Sequence, residues 1–505
     1  MADPDVIVIG SGPNGLVAAN MMARKGFKVL VLEANAKRPG GALGSEELTR
    51  PGFVHDVGAG FFPFGKSSPA FVELGLESIG VTWKNARFES CHPARDGSYA
   101  CIARDPELAA AHFGSPQDGA AWRKLAAFHA RTESRLLASL LGPFPTLAPA
   151  LRMGVRDLFK IAWSFVHSGA SLSRSLFHSE AARRVIPSLG LHVDVGPEDW
   201  FGAGLSYMLA MTASTGGYAV PQGGAQQLTN AFITRLEERG GRVRLGARVT
   251  RIIVSNGRAT AVRLENGEEL RARSAIMADT AAPTLYLQLL EAAHVPGWLL
   301  RRMRRFTQGF GTFKLDFALS GKVPWQVEAA HESAVVHVTE SLSDLQRFTK
   351  QVRAGQLPHE PYLVVGQQSA FDAARAPHGQ QTLYCYSRVP SHLPGGWAKQ
   401  REAFADAITT RIEGLAPGFG TLILDRRASS PSDLEAGNSN LIGGDIGGGS
   451  NAWYRQLLFR PVFPYFRYGT PVKGLYLCSS YAHPGAGVHG MCGYNAAQIA
   501  ARDLS

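Results

Sequence analysis

Three glycines near the start of the chain, followed by one acid, have the spacing of a dinucleotide site. Gly10, Gly12 and Gly15 lie between the apolar run VIVI and a segment with helical periodicity. In such a loop the first glycine allows a tight turn, the second lets the backbone approach a diphosphate, and the third packs helix against strand. Glu33 ends the next apolar strand, where a carboxylate accepts hydrogen bonds from ribose hydroxyls and repels a 2′-phosphate. These residues predict an adenine dinucleotide and disfavour NADP.

A second pair of glycines indicates which dinucleotide is bound. Gly40 and Gly41 follow Glu33 within the sequence AKRPGGALGSEELTRPGF. An NAD site has no need of this second loop, whereas the longer chain of FAD needs close backbone approach along it. The pattern therefore favours FAD.

Four stretches of the chain together resemble one superfamily of flavoproteins. They are the glycine pattern of residues 10–41, GGYAVPQGGAQQLTNAF at 216–232, SPSDLE at 430–435 and TPVKGLYLCSSYAHPGAGVHGMCGYNAA at 470–497. The chain is similar to the phytoene-desaturase-like FAD-dependent oxidoreductases, which include carotenoid desaturases and ketolases, retinol saturases and the pyridine nucleotide-disulphide oxidoreductase domain 2 branch. The resemblance implies FAD-dependent desaturation or oxidation of an apolar isoprenoid or polyene-like substrate, which is a lipophilic small molecule.

The resemblance also implies roles for individual residues. Three residues near the flavin are candidates for catalysis, and each is also plausible as part of the structure: His483, His489 and Tyr218. A larger set is expected to hold FAD: Gly10, Gly12, Pro13, Asn14, Gly15, Glu33, Gly40, Gly41, Ala42, Val249, Ser479, Gly487 and Val488. Ser479 stands where relatives usually carry glycine or an aspartate-like contact.

The elements that must position these residues predict an α/β fold. The expected architecture is a discontinuous Rossmann-type FAD-binding domain, built from residues 1–85, 215–285 and 465–505, with an interleaved α+β substrate domain from residues 86–214 and 286–464. Between residues 241 and 279 the chain alternates apolar and polar residues, and Asn-Gly pairs at 256–257 and 266–267 predict the hairpins of a three-stranded meander.

Several classes of oxidoreductase are disfavoured by what the sequence lacks. No second strand–GxGxxG–helix unit occurs in mid-chain, so a dedicated NAD(P)H domain is not expected. The five cysteines form no CxxC pair, which argues against a disulfide reductase and against a zinc site; no metal is expected. Electrons are then expected to pass to O2 or a quinone.

Charge and apolar patterning suggest where the protein acts. The formal net charge is +11, but no zinc finger, RNP-like motif or dense basic run indicates nucleic acid. Arg152, Arg156 and Lys160 recur every four residues, opposite apolar positions, in a predicted helix over residues 151–166 that could lie on an anionic membrane surface. The alternative is an ordinary surface helix packed on its own domain, and the basic run at 299–305 is expected to be a solvated face. We expect a cytoplasmic protein, with peripheral membrane association as a further prediction.

Two other functions remain open at this stage. An FAD amine or amino-acid oxidase shares the same opening, but it would require an aromatic cage and an arginine that clamps a carboxylate, which the sequence does not locate. A flavoprotein with a structural or interaction role and no turnover is the other alternative. Saturase, isomerase and ketolase variants of the leading function use the same fold.

Overall fold

A computed structural model gives the fold of residues 3–505. Within this range the chain forms 19 β-strands and 19 α-helices, numbered β1–β19 and α1–α19 from the N-terminus. Two large sheets organise these elements. The predicted α/β class is confirmed.

The first large sheet is parallel, and it carries the glycine motif. Its spatial order is β19-β13-β1-β2-β9. The strands are β1 (Val6–Ile9), β2 (Val29–Leu32), β9 (Arg242–Arg244), β13 (Ala275–Ala278) and β19 (Leu475–Leu477). All four residues of β1 are apolar and buried, as a parallel strand covered by helices on both faces requires. All five strands lie within the three segments expected to form the FAD-binding domain.

An antiparallel meander adjoins this sheet. It consists of β10 (Val249–Ser255), β11 (Arg258–Leu264) and β12 (Glu269–Arg271). The first hairpin turns at Asn256 and Gly257, whose φ angles of 50° and 72° suit the primed turn that an Asn-Gly pair favours. The predicted meander is confirmed.

The second large sheet is mostly antiparallel and has seven strands in the order β18-β14-β17-β16-β15-β6-β7. They are β6 (Phe88–Pro93), β7 (Tyr99–Ile102), β14 (Gly311–Leu319), β15 (Ser333–Val338), β16 (Leu363–Gly366), β17 (Gln381–Val389) and β18 (Ile423–Ser429). Two short pairs complete the strands: β3 (Ser45–Glu46) with β4 (His55–Asp56), and β5 (Trp83–Lys84) with β8 (Val220–Pro221).

The helices cover the sheets and form most of the region between β7 and β8. They are α1 (Pro13–Arg24), α2 (Pro69–Leu74), α3 (Pro106–Ala111), α4 (Pro116–Leu141), α5 (Leu147–Leu151), α6 (Val155–Val166), α7 (Gly169–Leu176), α8 (Glu180–Arg183), α9 (Val185–Gly190), α10 (Gly202–Thr212), α11 (Gln226–Glu237), α12 (Ala282–Thr284), α13 (Gly297–Arg304), α14 (Glu328–His331), α15 (Leu342–Arg353), α16 (Arg401–Glu413), α17 (Phe419–Leu422), α18 (Pro431–Gly437) and α19 (Met491–Leu504). Among the helices of residues 3–505, none is both long and apolar enough to cross a membrane. The helix predicted over residues 151–166 is interrupted at Gly154, whose φ is 84°, so α5 and α6 are separate.

The parallel sheet determines where a ligand can bind. The carboxyl ends of parallel strands meet at one edge, and the loops that leave them form a crevice there. Gly10 follows β1, Glu33 follows β2, Asp279 follows β13 and Ser479 lies just beyond β19. Four segments that are distant in sequence therefore converge at this edge.

Candidate functional site

A groove of about 650 Å³ runs along the carboxyl edge of the parallel sheet. One end is lined by Glu33 and Val249, and the middle by the glycine loop before α1. The other end is lined by residues of the segments 436–448 and 479–488. The groove is within the size range of ligand pockets and has the elongated path that a dinucleotide needs.

Glu33 is held at the adenosine end by backbone groups. Its Oε2 accepts hydrogen bonds from the Ser11 amide at 2.9 Å and from the Ser11 hydroxyl at 2.5 Å, and its Oε1 accepts one from the Asn35 amide at 2.8 Å. The carboxylate is therefore fixed at the end of β2, where ribose hydroxyls of a bound dinucleotide would lie. Val249, the first residue of β10, lines the same end.

The glycine loop leaves no room for side chains. Gly10 has a φ of 93°, and a Cβ placed on Gly12 or on Gly15 would overlap the carboxylate of Asp279. The loop therefore requires glycine for close approach as well as for its backbone conformation. Gly15 and Gly40 lie behind the lining of the groove. The Gly15 amide donates to Asp279, and the Gly40 amide donates to the Ser11 hydroxyl.

Asp279 lies at the N-terminus of α1 and was missed by sequence reasoning. Its Oδ2 accepts a hydrogen bond from the Gly15 amide at 3.0 Å. Burial raises the pKa of this carboxyl to about 7, hydrogen bonds from the amides of Gly15 and Gly12 oppose the shift, and the charge of Glu33 adds to it. A group that is half-protonated near neutral pH thus occupies the part of the site that favours anions. The signal available in the sequence was its position as the first polar residue after the apolar strand β13.

The groove also contains buried polar atoms that a ligand would satisfy. Among the described residues, Asn14 Oδ1 and Thr280 Oγ1 have no hydrogen-bond partner, and both residues line the groove. Buried polar atoms are rarely left unpaired. Together with the glycine cradle, the acid at the adenosine end and the length of the groove, these atoms fit FAD.

The loop of residues 479–490, which we call the terminal loop, closes the other end of the groove. Ser479, Gly487 and Val488 line it, and Gly485 and Gly487 have φ angles of 101° and 134°. The Ser479 hydroxyl donates to the Thr280 carbonyl at 2.7 Å, which fixes the loop to the end of β13. Close backbone approach at this end therefore depends on glycine.

The two histidines of this loop differ in their surroundings. His489 Nδ1 accepts from the Met491 amide at 3.0 Å, and its ring also hydrogen-bonds to the backbone of Ala486. His483 Nε2 is buried without a partner among the described residues. Burial lowers the pKa of His489 to about 3 and that of His483 to about 4, and both rings are neutral at pH 7. Both rings thus hydrogen-bond to the backbone, His483 to Leu140 and Gly142 and His489 to Ala486 and Met491, and His483 also keeps a free Nε2.

Tyr218 lies apart from the lining of the groove. Its hydroxyl donates to the Leu209 carbonyl at 2.7 Å, and its amide donates to the buried carboxylate of Glu89. Both contacts tie the segment before β8 to its neighbours.

The structure brings most of the predicted FAD-binding residues to one surface. Those that line the groove are Gly10, Gly12, Pro13, Asn14, Glu33, Gly41, Ala42, Val249, Ser479, Gly487 and Val488. Gly15 and Gly40 support the glycine loop from behind, and the three catalytic candidates lie outside the lining.

Two charged side chains lie near the terminal loop, and both are already satisfied. The Asp445 carboxylate, which lines the groove, accepts hydrogen bonds from the amides of Gly309, Gly447 and Gly449 at 2.6–2.8 Å. The Arg460 guanidinium is buried and donates to the carbonyls of Ser480, Gly447 and Gly448 and to Asn451. Within residues 3–505, no cluster of three or more His, Cys, Asp or Glu could hold a metal ion.

Comparisons with known proteins agree with this geometry. Residues 14–505 match the family described as flavin containing amine oxidoreductase. The chain is 27% identical to a mouse protein named pyridine nucleotide-disulfide oxidoreductase domain-containing protein 2, over 99% of this chain and 94% of that protein. It is 25% identical to a neurosporene-forming phytoene desaturase of Cereibacter sphaeroides, over 96% of this chain and 92% of that one.

A solved structure shows the same fold. An oxidoreductase from Methanosarcina mazei superposes with a TM-score of 0.63 at 15% identity, covering 98% of this chain and 99% of that one. The relatives confirm the resemblance seen in the sequence, and the fit of the groove to FAD agrees with the family's flavin.

Proposed function

The chain belongs to the flavin-containing amine oxidoreductase family, and on this premise we propose that it desaturates or oxidises an apolar, isoprenoid or polyene-like substrate, with O2 or a quinone as electron acceptor. It is an FAD-dependent oxidoreductase. Support for the substrate class comes from the phytoene desaturase named above, which aligns along nearly the whole chain.

The observation that carries the proposal is the state of the charged groups beside the terminal loop. An amine substrate needs a free carboxylate or an aromatic cage, and an amino acid needs a free guanidinium. Asp445 receives three backbone N–H groups, and Arg460 donates to four acceptors. Neither group is left to bind a charged substrate, and the neighbouring Asp194 carboxylate is ion-paired with Arg388 at 3.3 Å. These contacts support an apolar substrate.

The chain's own residues would position FAD and the substrate and exclude water from between them. They would supply little further chemistry. FAD, when bound, accepts a hydride from an activated C–H bond. Glu33 and the glycine loop hold its nucleotide half, and the terminal loop sets how closely a substrate can approach. His483, whose Nε2 has no partner among the described residues, is the better candidate to accept the accompanying proton.

Anaerobic mixing distinguishes the proposed function from its competitors. FAD-loaded protein would be mixed without O2 against a lipophilic extract, and separately against a panel of primary amines and amino acids. We expect the flavin absorbance to bleach with the extract and not with the panel. Bleaching by an amine would establish the amine oxidase alternative, whose substrate class appears in the description of the family. No bleaching by either would favour a flavoprotein without turnover, and free FAD is the control.

A further inference from the structure

Helix α6 exposes its apolar stripe instead of burying it. Val155, Phe159 and Trp163 are spaced four residues apart and are exposed by 87%, 68% and 56%. Only Ile161 of this helix is fully buried. Large apolar side chains lined up on one exposed face are uncommon on monomeric proteins and indicate an interaction surface.

The opposite side of α6 is already packed on the protein. Phe165 lies against α10, where a Cβ on Gly204 would overlap its ring, and Leu158 packs on the hydrophobic core. The helix therefore has an inner apolar face and a separate outer one. Helix α6 can therefore contact the core with one face and an external partner with the other at the same time.

Cations flank the outer stripe, which corrects the expectation that they lie opposite the apolar positions. At about 100° per residue, Arg156 and Lys160 each follow a stripe residue by one position and lie beside it. The physical reason is that the side opposite the stripe is occupied by the protein's own core. Arg156 and Lys160 line a cleft of about 480 Å³ at the start of the helix, together with Arg131 and Asp157, which are ion-paired at 3.0 Å. Arg152, one turn earlier, is also exposed.

The stripe continues into a band of exposed aromatic residues. The Trp163 ring lies 4.5 Å from that of His167, whose carbonyl accepts a hydrogen bond from the Ala203 amide at 3.1 Å. Two residues before Ala203, the Phe201 ring lies 5.3 Å from that of Trp453. Trp200 and Trp453 are exposed by 71% and 55%. We call Val155, Phe159, Trp163, Trp200, Phe201 and Trp453 the docking face.

We propose that the docking face binds the surface of an anionic lipid bilayer. Tryptophan is enriched at the boundary between lipid and water, and a helix with an apolar stripe flanked by cations lies flat in that boundary. Lipid phosphates complement Arg152, Arg156 and Lys160. A second copy of the chain fits less well, because a two-fold contact would bring the two cationic flanks together. Membrane binding by this surface does not depend on which substrate the flavin site oxidises.

Vesicle flotation of the full-length, FAD-loaded protein tests the proposal. The vesicles would be phosphatidylcholine alone, or phosphatidylcholine and phosphatidylglycerol in equal amounts. We expect flotation with the anionic vesicles, weakened by high salt. The Phe159→Ser/Trp163→Ser variant should lose about tenfold in partition coefficient for each aromatic residue. Replacing Arg152, Arg156 and Lys160 by Gln should lower the partition coefficient on the order of 100-fold at low salt, because each cation contributes about 1 kcal/mol.

Matched variants control for changes in hydrophobicity and in net charge. Val72→Ser removes an exposed apolar residue of α2, and Gln at Lys25, Arg271 and Lys322 removes three exposed cations elsewhere. Both controls should float like the unmodified protein. Flavin absorbance and thermal melting of every variant verify that it is folded.

Three results would overturn the proposal. The first is flotation of the Phe159→Ser/Trp163→Ser variant equal to that of the unmodified protein. The second is no flotation of the unmodified protein with anionic vesicles. The third is a dimer in sedimentation velocity without lipid that the same two substitutions dissociate, since that would assign the face to a second copy.

Discussion

Replacing Asp279 by asparagine should remove a pH dependence from FAD binding. In the flavin-free protein the Asp279 carboxyl accepts a hydrogen bond from the Gly15 amide at the N-terminus of α1. The diphosphate of a bound dinucleotide would bring its own negative charge to the same place. Burial raises the pKa of this carboxyl to about 7, and Glu33 is the other acid that contributes to the shift. Binding should therefore favour the form in which Asp279 is protonated.

The magnitude follows from that pKa. A carboxyl with a pKa of about 7 is roughly 90% protonated at pH 6 and roughly 10% at pH 8, and the apparent Kd is the intrinsic Kd divided by the competent fraction. Because the pKa is raised, the competent form is abundant below pH 7 and is lost above it. The Kd for FAD should then rise about tenfold between pH 6 and pH 8.

Titration of flavin-free protein with FAD, followed by flavin fluorescence at several pH values, measures this slope. Asp279→Asn should bind FAD with a Kd that is nearly constant over the same range. Asp406→Asn, which removes an exposed acid far from the groove, should keep the slope of the unmodified protein. A slope retained by Asp279→Asn, or no slope in the unmodified protein, would contradict this role of Asp279.

Further predictions concern the cofactor, catalysis and stability. Glu33→Arg should lower FAD affinity by about tenfold or more, because it replaces the acceptor for the ribose hydroxyls with a cation; the flavin absorbance of the purified variant measures the loss. His483→Ala should leave FAD bound but slow anaerobic flavin reduction roughly 10²-fold if Nε2 accepts the proton. His489→Gln should change flavin content, spectrum and rate together, because its ring holds the loop backbone; normal rates in both variants would eliminate both histidines as catalysts. Arg375→Met should lower the free energy of unfolding by about 3–5 kcal/mol in denaturant titrations, because it leaves the buried carboxylates of Asp56 and Asp372 without their cation; a loss below about 1 kcal/mol would contradict this account of the network.

Local signals in the sequence predicted the strands and turns around the nucleotide half of the site. The apolar runs of β1 and β2, the spacing of the glycines and the Asn-Gly turns each act over a few residues, so their structural consequence can be deduced without tertiary contacts. Asp279 is different, because it meets Gly15 from 264 positions away in the chain. Only the pairing of β13 with β1 brings it there, although its place directly after an apolar strand was a usable signal.

Periodicity predicted α6 but not its orientation. The spacing of apolar residues defines a stripe, yet it does not say whether that stripe meets the core, another chain or solvent. Here Ile161 and Phe165 pack against the protein, while Phe159 and Trp163 are more than half exposed. The motif of Tyr218 likewise suggested a place at the flavin but not the contact of its hydroxyl, which donates to the Leu209 carbonyl.

The central claim is oxidation of an apolar substrate at the end of the groove beside the terminal loop. Its most direct test is the mass spectrum of the product after anaerobic reduction of the FAD-loaded protein by an isoprenoid or polyene hydrocarbon. Loss of a hydride and a proton requires a product lighter by two hydrogens, formed once for each flavin reduced. We expect that stoichiometry. Flavin reduction with no such product, or reduction by amines alone, would contradict it.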